Sequence, residues 1–263
     1  MERYNLNSAG NKFETLVKIV DKLRSPDGCP WDMEQTSESL IPYFIEEVYE
    51  VVEAVDSKDS DALKEELGDV LLHITFQALI AEENKKFVIS DIIDLVSKKL
   101  VKRHPHVFGD EKANGSFHAK QNWEKAKHQE KQRESRLDGV PLSLPSTLQA
   151  QRLQQKASYA GFDWKHSDDV WKKINEELEE LKIAEKGGNK EQIQNELGDL
   201  LFSIINLARF LDVSADSALR STNNKFKNRF RFIEKTLEKS NKDMEKCSLE
   251  ELDSIWKEAK TKE

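Results

Sequence analysis

The stretch EEVYEVVEAVDSKDSDALKEELGD, residues 46–69, decides the reading of this chain, because EELEELKIAEKGGNKEQIQNELGD, residues 176–199, repeats its acidic pattern in register. In both, a Glu-Glu-x-x-Glu run is followed by Glu-Leu-Gly-Asp. Fifteen residues separate Glu50 from Glu66 and Glu180 from Glu196, and the two copies are offset by 130. On a helical wheel, at about 100° per residue, Phe44, Val48, Val51, Val52 and Val55 form one apolar stripe. Glu47 lies just outside that stripe, with Glu50 beside it and Glu46 beyond. The second copy repeats the arrangement with Trp171, Ile174, Leu178 and Leu181 flanked by Glu177, Glu180 and Glu176. On the next helix Leu67, Leu71, Ile74 and Ala78 make the stripe, with Glu66 and Asp69 together on its flank, as are Glu196 and Asp199 in the repeat.

Further landmarks follow in the same order. Gly28-Cys-Pro-Trp31 answers to Gly161-Phe-Asp-Trp164, Lys99-x-x-x-Arg103 to Lys225-x-x-x-Arg229, and Trp123-x-x-x-Lys127 to Trp256-x-x-x-Lys260. This order marks an internal duplication. Residues 134–146, ESRLDGVPLSLPS, break the helical pattern with one Gly and two Pro and read as a linker. The first module is then 1–133 and the second 147–263. No turn pair of Asn-Gly or Asp-Gly type joins two alternating β-branched runs, so the fold class is all-α. Each module reads as a Trp-bearing loop, two acidic helices, a Lys/Arg helix and a final Trp helix. His104-Pro105 stops the third helix of the first copy, whereas the second copy lacks that stop and its helix continues through Phe230 and Ile233.

Packing the two acidic helices by their stripes brings four carboxylates to one edge of the seam. Two unit charges about 4 Å apart repel by about 4 kcal/mol at an effective dielectric of about 20. Such a cluster requires cations or protons. All-oxygen donors suit a hard divalent ion, Mg²⁺ above all, which characteristically bridges carboxylates to substrate phosphates. A di-iron carboxylate bundle would need Glu-x-x-His pairs. Here Asp69 and Asp199 hold the third position after Glu, and His73 is matched by Ser203, which argues against iron. Gly68 and Gly198 sit inside the second acidic helix of each copy, where glycine costs roughly 1 kcal/mol against alanine. Their recurrence predicts close backbone approach there.

The bulk properties are compatible with this. The chain has 263 residues, 34% charged and 37% hydrophobic, with a formal net charge of −8, which disfavours non-specific nucleic-acid binding. No apolar run reaches the about 20 residues of a membrane span, and MERYNLNSAGNKFE lacks the apolar core of a secretory signal. Cys29 and Cys247 form neither a metal cluster nor a disulfide framework, which points to a cytoplasmic protein.

EEVYE followed by ELGD resembles the EExxE…ExxD signature of the all-α nucleoside triphosphate pyrophosphohydrolases, specifically the MazG family. GCPWDMEQTSESLIPYFIEEVYE and KLVKRHPHVFGD resemble the first-copy motifs of that family, and QKASYAGFDW and NELGDLLFSIINLARF the second-copy motifs. The resemblance covers nearly the whole chain. It implies two tandem helical-bundle modules, usually in a homodimer, that hydrolyse nucleoside triphosphates to the monophosphate and pyrophosphate. It also implies a house-cleaning role in the nucleotide pool and Mg²⁺ as the cofactor, with Mn²⁺ as its substitute. Carried over by position, Glu47, Glu50, Glu66 and Asp69 would be metal ligands in the first copy, and Glu177, Glu180, Glu196 and Asp199 in the second. Water would attack the α-phosphorus, and Glu46 and Glu176 are the candidates to orient or deprotonate it.

Lys225 and Arg229, four residues apart on one helix face, are candidates to grip the triphosphate, as are Lys99 and Arg103 in the first copy. Trp256 and Trp123 are candidates to stack on a base, while Trp31 and Trp164 read as structural. No partner is readable for His104 or His106. Two other classes remain open at this point: a helical module that senses nucleotides without turning them over, and a helical scaffold for protein partners.

Overall fold

A computed structural model describes residues 6–110 and 112–262. Residues 1–5, part of the segment read for a leader, lie outside the described residues. The described residues form helices and turns with no strand, and no described helix is long and apolar enough to cross a membrane. The chain divides into two compact units, residues 1–115 and 116–263.

The first unit contains α1 (Leu6–Arg24), α2 (Pro30–Glu34), α3 (Ile41–Ser57), α4 (Ser60–Glu83), α5 (Ile89–Arg103) and α6 (Pro105–Phe108). The turn between α3 and α4 explains why they form a tight antiparallel hairpin. Lys58 ends α3 in the left-handed region at φ 58°, and Asp59 caps α4 by accepting from the amides of Asp61 and Ala62. α1 packs on α4. Val20, Leu40, Phe76, Leu79 and Ile80 make the core, with Leu16, Val17 and Leu72 against it. On α4 the buried residues begin at His73, so the core occupies the end away from Glu66 and Asp69.

The second unit is built from α7 (Gly115–Glu130), α8 (Ser146–Tyr159), α9 (Ser167–Gly187), α10 (Lys190–Phe210), α11 (Ala215–Lys239) and α12 (Leu249–Thr261). Its acidic hairpin repeats the first one's turn residue for residue. Gly188 takes the left-handed conformation at φ 70°, where the absent Cβ avoids the strain that Lys58 bears. Asn189 then caps α10 through the amides of Glu191 and Gln192. Val170, Ile174 and Leu207 form the core with Leu200 and Phe210. α8 packs on α10 and α11.

The sequence repeat assigns the Trp123 helix to the first module, while packing places it in the second unit. Gln121 Nε2 donates to the Tyr159 carbonyl at 3.0 Å, and Lys156 reaches Glu124. Residues 131–145 are non-helical. α5 stops at Arg103 before His104-Pro105, and α11 runs unbroken past Phe230 and Ile233. The coarse sequence reading omitted α1 and α8, which close the buried end of each hairpin.

Two expectations need correction. Val48, Val55, Leu67, Leu71 and Ile74 are exposed, whereas Phe44, Val51 and Val52 are half-buried and Ala78 is buried, so the predicted apolar stripes are only partly covered. Glu47, half-buried, meets Glu66 and Asp69 across the seam beside the exposed part of the stripe. The glycines also make no close approach, since beyond its own stretch of helix a Cβ on Gly68 or Gly198 would meet no described atom within 4 Å. In the second hairpin Ile174 is buried while Trp171, Leu197, Leu201 and Ile204 are exposed, so each hairpin leaves part of its apolar surface open.

Candidate metal centres

On α3 and α4, carboxylate oxygens of Glu47, Glu66 and Asp69 lie within 4.8 Å of one another. The helical spacing explains this: Glu66 and Asp69 share one face of α4, and Glu47 meets them across the seam. Burial, the Asp69 charge and a hydrogen bond with Glu50 push the Glu47 carboxyl up to about 7. Glu66 is also raised, by desolvation first and then by Glu50. Glu50 therefore adjoins the triad, close enough to raise both Glu47 and Glu66.

Behind the triad stands His73, buried and stacked on Phe44 with ring centroids 5.8 Å apart. Its Nε2 is 3.8 Å from Glu47 Oε1, and its Nδ1 is buried without a hydrogen-bond partner. Desolvation holds its pKa below the usual histidine value, against the pull of Asp69.

The second hairpin reproduces the triad with Glu177, Glu196 and Asp199, again within 4.8 Å. Glu177 is buried, Glu196 is half-buried and Asp199 is exposed. Desolvation raises the Glu180 carboxyl, reinforced by the charges of Glu177 and Glu196, so Glu180 adjoins this triad as Glu50 adjoins the other. One difference matters. Lys173 Nζ stands 2.7 Å from Glu177 Oε1 and 2.8 Å from Glu176 Oε1, which raises the lysine's pKa. At the matching position, 130 residues earlier, the chain has Tyr43.

The other named residues are distributed as follows. Glu46 and Glu176 are exposed and outside the triads. Lys225 is exposed near the middle of α11, and the Arg229 guanidinium lies 5.4 Å from the Trp256 ring centroid. Trp256 also meets Phe226 at 5.2 Å, so its ring packs between α11 and α12 beside the predicted cations. Lys99 is half-buried and Arg103 buried at the end of α5. Trp123, in the second unit, carries the Lys127 ammonium 4.7 Å from its ring centroid. His104 Nδ1 donates to the Leu100 carbonyl at 2.7 Å, giving that histidine a helix-terminating partner.

Sequence reasoning passed over Lys173, although its spacing of three and four residues before Glu176 and Glu177 is the helical ion-pair spacing. His73 entered only as a missing iron ligand, although it follows Asp69 by one turn.

All-carboxylate triads suit a hard divalent cation, and in the first triad, where burial and neighbouring carboxylates raise Glu47 and Glu66, a cation relieves the part of that shift due to repulsion. The fold and these sites define an all-α protein with paired acidic hairpins. The MazG nucleotide pyrophosphohydrolase domain matches residues 35–108 and again residues 166–232, once over each hairpin. The chain belongs to the MazG family. It is similar to the nucleoside triphosphate pyrophosphohydrolase/pyrophosphatase MazG of Thermotoga maritima, 48% identical over 97% of this chain and 98% of that protein. A nucleoside triphosphate pyrophosphohydrolase of Escherichia coli is 39% identical over 96% of this chain and 98% of its own length. The protein YabN of Bacillus subtilis is 43% identical over 96% of this chain, which spans 52% of that protein.

Proposed function

We propose that this chain hydrolyses nucleoside triphosphates to the monophosphate and pyrophosphate with a divalent cation, Mg²⁺ above all and Mn²⁺ as its substitute. The observation that carries the reading is the carboxylate triad that recurs within 4.8 Å on both hairpins. Family membership and the names of the relatives support the same substrate class. Glu47, Glu66 and Asp69, with Glu50 adjoining, would hold the cation in the first module, residues 1–133. Glu177, Glu196 and Asp199, with Glu180, would do so in the second, residues 147–263, beyond the linker 134–146. The bound cation supplies charge neutralisation for the phosphate oxygens and activation of water.

Water oxygen bonds to the α-phosphorus, and the bond from that phosphorus to the oxygen of the β-phosphate breaks. Pyrophosphate leaves with the electron pair. Glu46 and Glu176 orient the water and accept its proton. Lys225 and Arg229, and their counterparts Lys99 and Arg103, neutralise the departing phosphates. Trp256 and Trp123 offer ring faces to the base.

The working form is a homodimer in the cytoplasm. The chain exposes 19345 Å², whereas two separate compact globules of half its mass would expose only about 14,000 Å². Leu67, Leu71 and Ile74 on α4, and Leu197, Leu201 and Ile204 on α10, are exposed large apolar residues at helical spacing. Open faces of this kind call for a partner surface, and a second copy supplies a self-complementary one.

The test incubates the full chain with each of the eight common nucleoside triphosphates, with and without Mg²⁺. The reading requires monophosphate and pyrophosphate that disappear on chelation. Diphosphate plus phosphate, or nucleotide binding with no pyrophosphate release, would contradict it.

A further inference from the structure

A cavity of about 400 Å³ lies wholly within the second unit, against α7 and α8, with His118, Asn122, Lys125, His128, Arg136 and Tyr159 among its walls. None of its lining residues comes from α9 to α12, which carry the acidic motif and the Lys225, Arg229 and Trp256 group.

Its electrostatics are unlike those of the hairpins. Glu124 is the single carboxylate among the lining residues, and its charge is already committed. Lys156 Nζ donates to Glu124 Oε2 at 2.9 Å, and Arg152 Nη2 donates to Oε1 at 3.1 Å. Burial works to raise the Glu124 carboxyl, but the Lys156 hydrogen bond and charge prevail and hold it below its ordinary value. Lys125 and Arg136 remain on the walls without an ion pair to any carboxylate among the described residues. His128 Nε2 is shielded from solvent and has no hydrogen-bond partner, which is unusual for a buried polar nitrogen. Tyr159, tilted against Phe117 at 5.5 Å, contributes an aromatic wall.

Unpaired cations, an unsatisfied imidazole nitrogen and an aromatic surface therefore share one cavity in a chain of net charge −8. Its volume falls in the range of small-molecule sites, about 300–1,000 Å³. We propose that this cavity binds a nucleotide-sized phosphorylated small molecule, with the phosphate held by Lys125 and Arg136 and the ring against Tyr159. Arginine offers phosphate a planar fork of donors, and lysine a mobile point charge. Asn122 supplies an amide at the wall. The site owes nothing to the acidic hairpins and stands apart from the hydrolysis reading.

Calorimetric titration of the full chain in excess chelator tests this, since without a divalent cation the acidic hairpins repel phosphate. The probes are the four ribonucleoside monophosphates, inorganic pyrophosphate and adenosine. At least one monophosphate is expected to bind once per chain, and adenosine not at all. Lys125→Ala combined with Arg136→Ala, both at exposed positions, should weaken binding by at least about tenfold. The doubly substituted chain should keep the ligand-free melting temperature. Glu177→Gln should leave binding unchanged. Failure of every monophosphate at millimolar concentration would overturn the site, as would binding that survives the double substitution or is abolished by Glu177→Gln. Pyrophosphate binding as tightly as the monophosphates would overturn the nucleotide-sized ligand.

Discussion

Lys173 Nζ stands 2.7 Å from Glu177 Oε1, and this ion pair separates the second acidic hairpin from the first. In the first hairpin burial, and then the charge of Asp69, push the Glu47 carboxyl up to about 7, with His73 behind it held below its usual value. A lysine pairs with the seam glutamate in one copy, and in the other burial and neighbouring charge favour a proton on it.

The lysine competes with a cation for the same oxygen. Lys173→Met should lower the melting temperature of the chelated protein and enlarge the upward shift produced by Mg²⁺. Differential scanning calorimetry with and without Mg²⁺ measures both, and an unchanged Mg²⁺ shift would remove Lys173 from the account.

The proton on Glu47 makes metal-free stability depend on pH. The folded pKa of about 7 exceeds the reference 4.5, so the folded chain binds more protons between those values. The stabilisation linked to that proton is complete below about 4.5 and is lost as pH rises through about 7. Glu47→Gln keeps the neutral form at every pH. In chelator its melting temperature relative to the parent should therefore climb from pH 5 to pH 8; a constant difference would contradict the assignment.

Much of the fold was legible in the sequence. The duplicated acidic spacing located α3, α4, α9 and α10, and Pro105 located the end of α5. Glu47, Glu66 and Asp69 could be brought together on paper because helical periodicity places side chains within an element and across one seam. Which face of the hairpin is buried could not be read that way. Leu67 and Leu71 look like core residues on a wheel, yet they are exposed, because the core is supplied by α1 from a distant part of the chain. Lys173 was hidden for a different reason: lysines on a Glu-rich helix are common, and only burial of Glu177 gives this one meaning.

The exposed stripe on α10 carries a prediction about assembly. Leu201→Glu places a charge among Leu197 and Ile204 and should drive the chain from twice 30.4 kDa to 30.4 kDa in light scattering. A monomeric parent, or a dimer indifferent to this change, would refute the proposed interface.

The two copies should differ in their contribution to turnover. In the second unit α11 is unbroken and Arg229 and Trp256 pack side by side, whereas α5 ends at Arg103 and Trp123 lies in the other unit. Glu177→Gln should reduce kcat by at least about 100-fold, and Glu47→Gln by much less. Equal losses in steady-state assays would argue for two equivalent sites.

In the proposed reaction water attacks the α-phosphorus, and the position of an oxygen isotope in the products reports which phosphorus was attacked. Hydrolysis of a nucleoside triphosphate in ¹⁸O-water with Mg²⁺, read by mass spectrometry after a single turnover, should put the label in the nucleoside monophosphate and leave pyrophosphate unlabelled. Label in pyrophosphate, with none in the monophosphate, would show attack at the β-phosphorus and contradict the account.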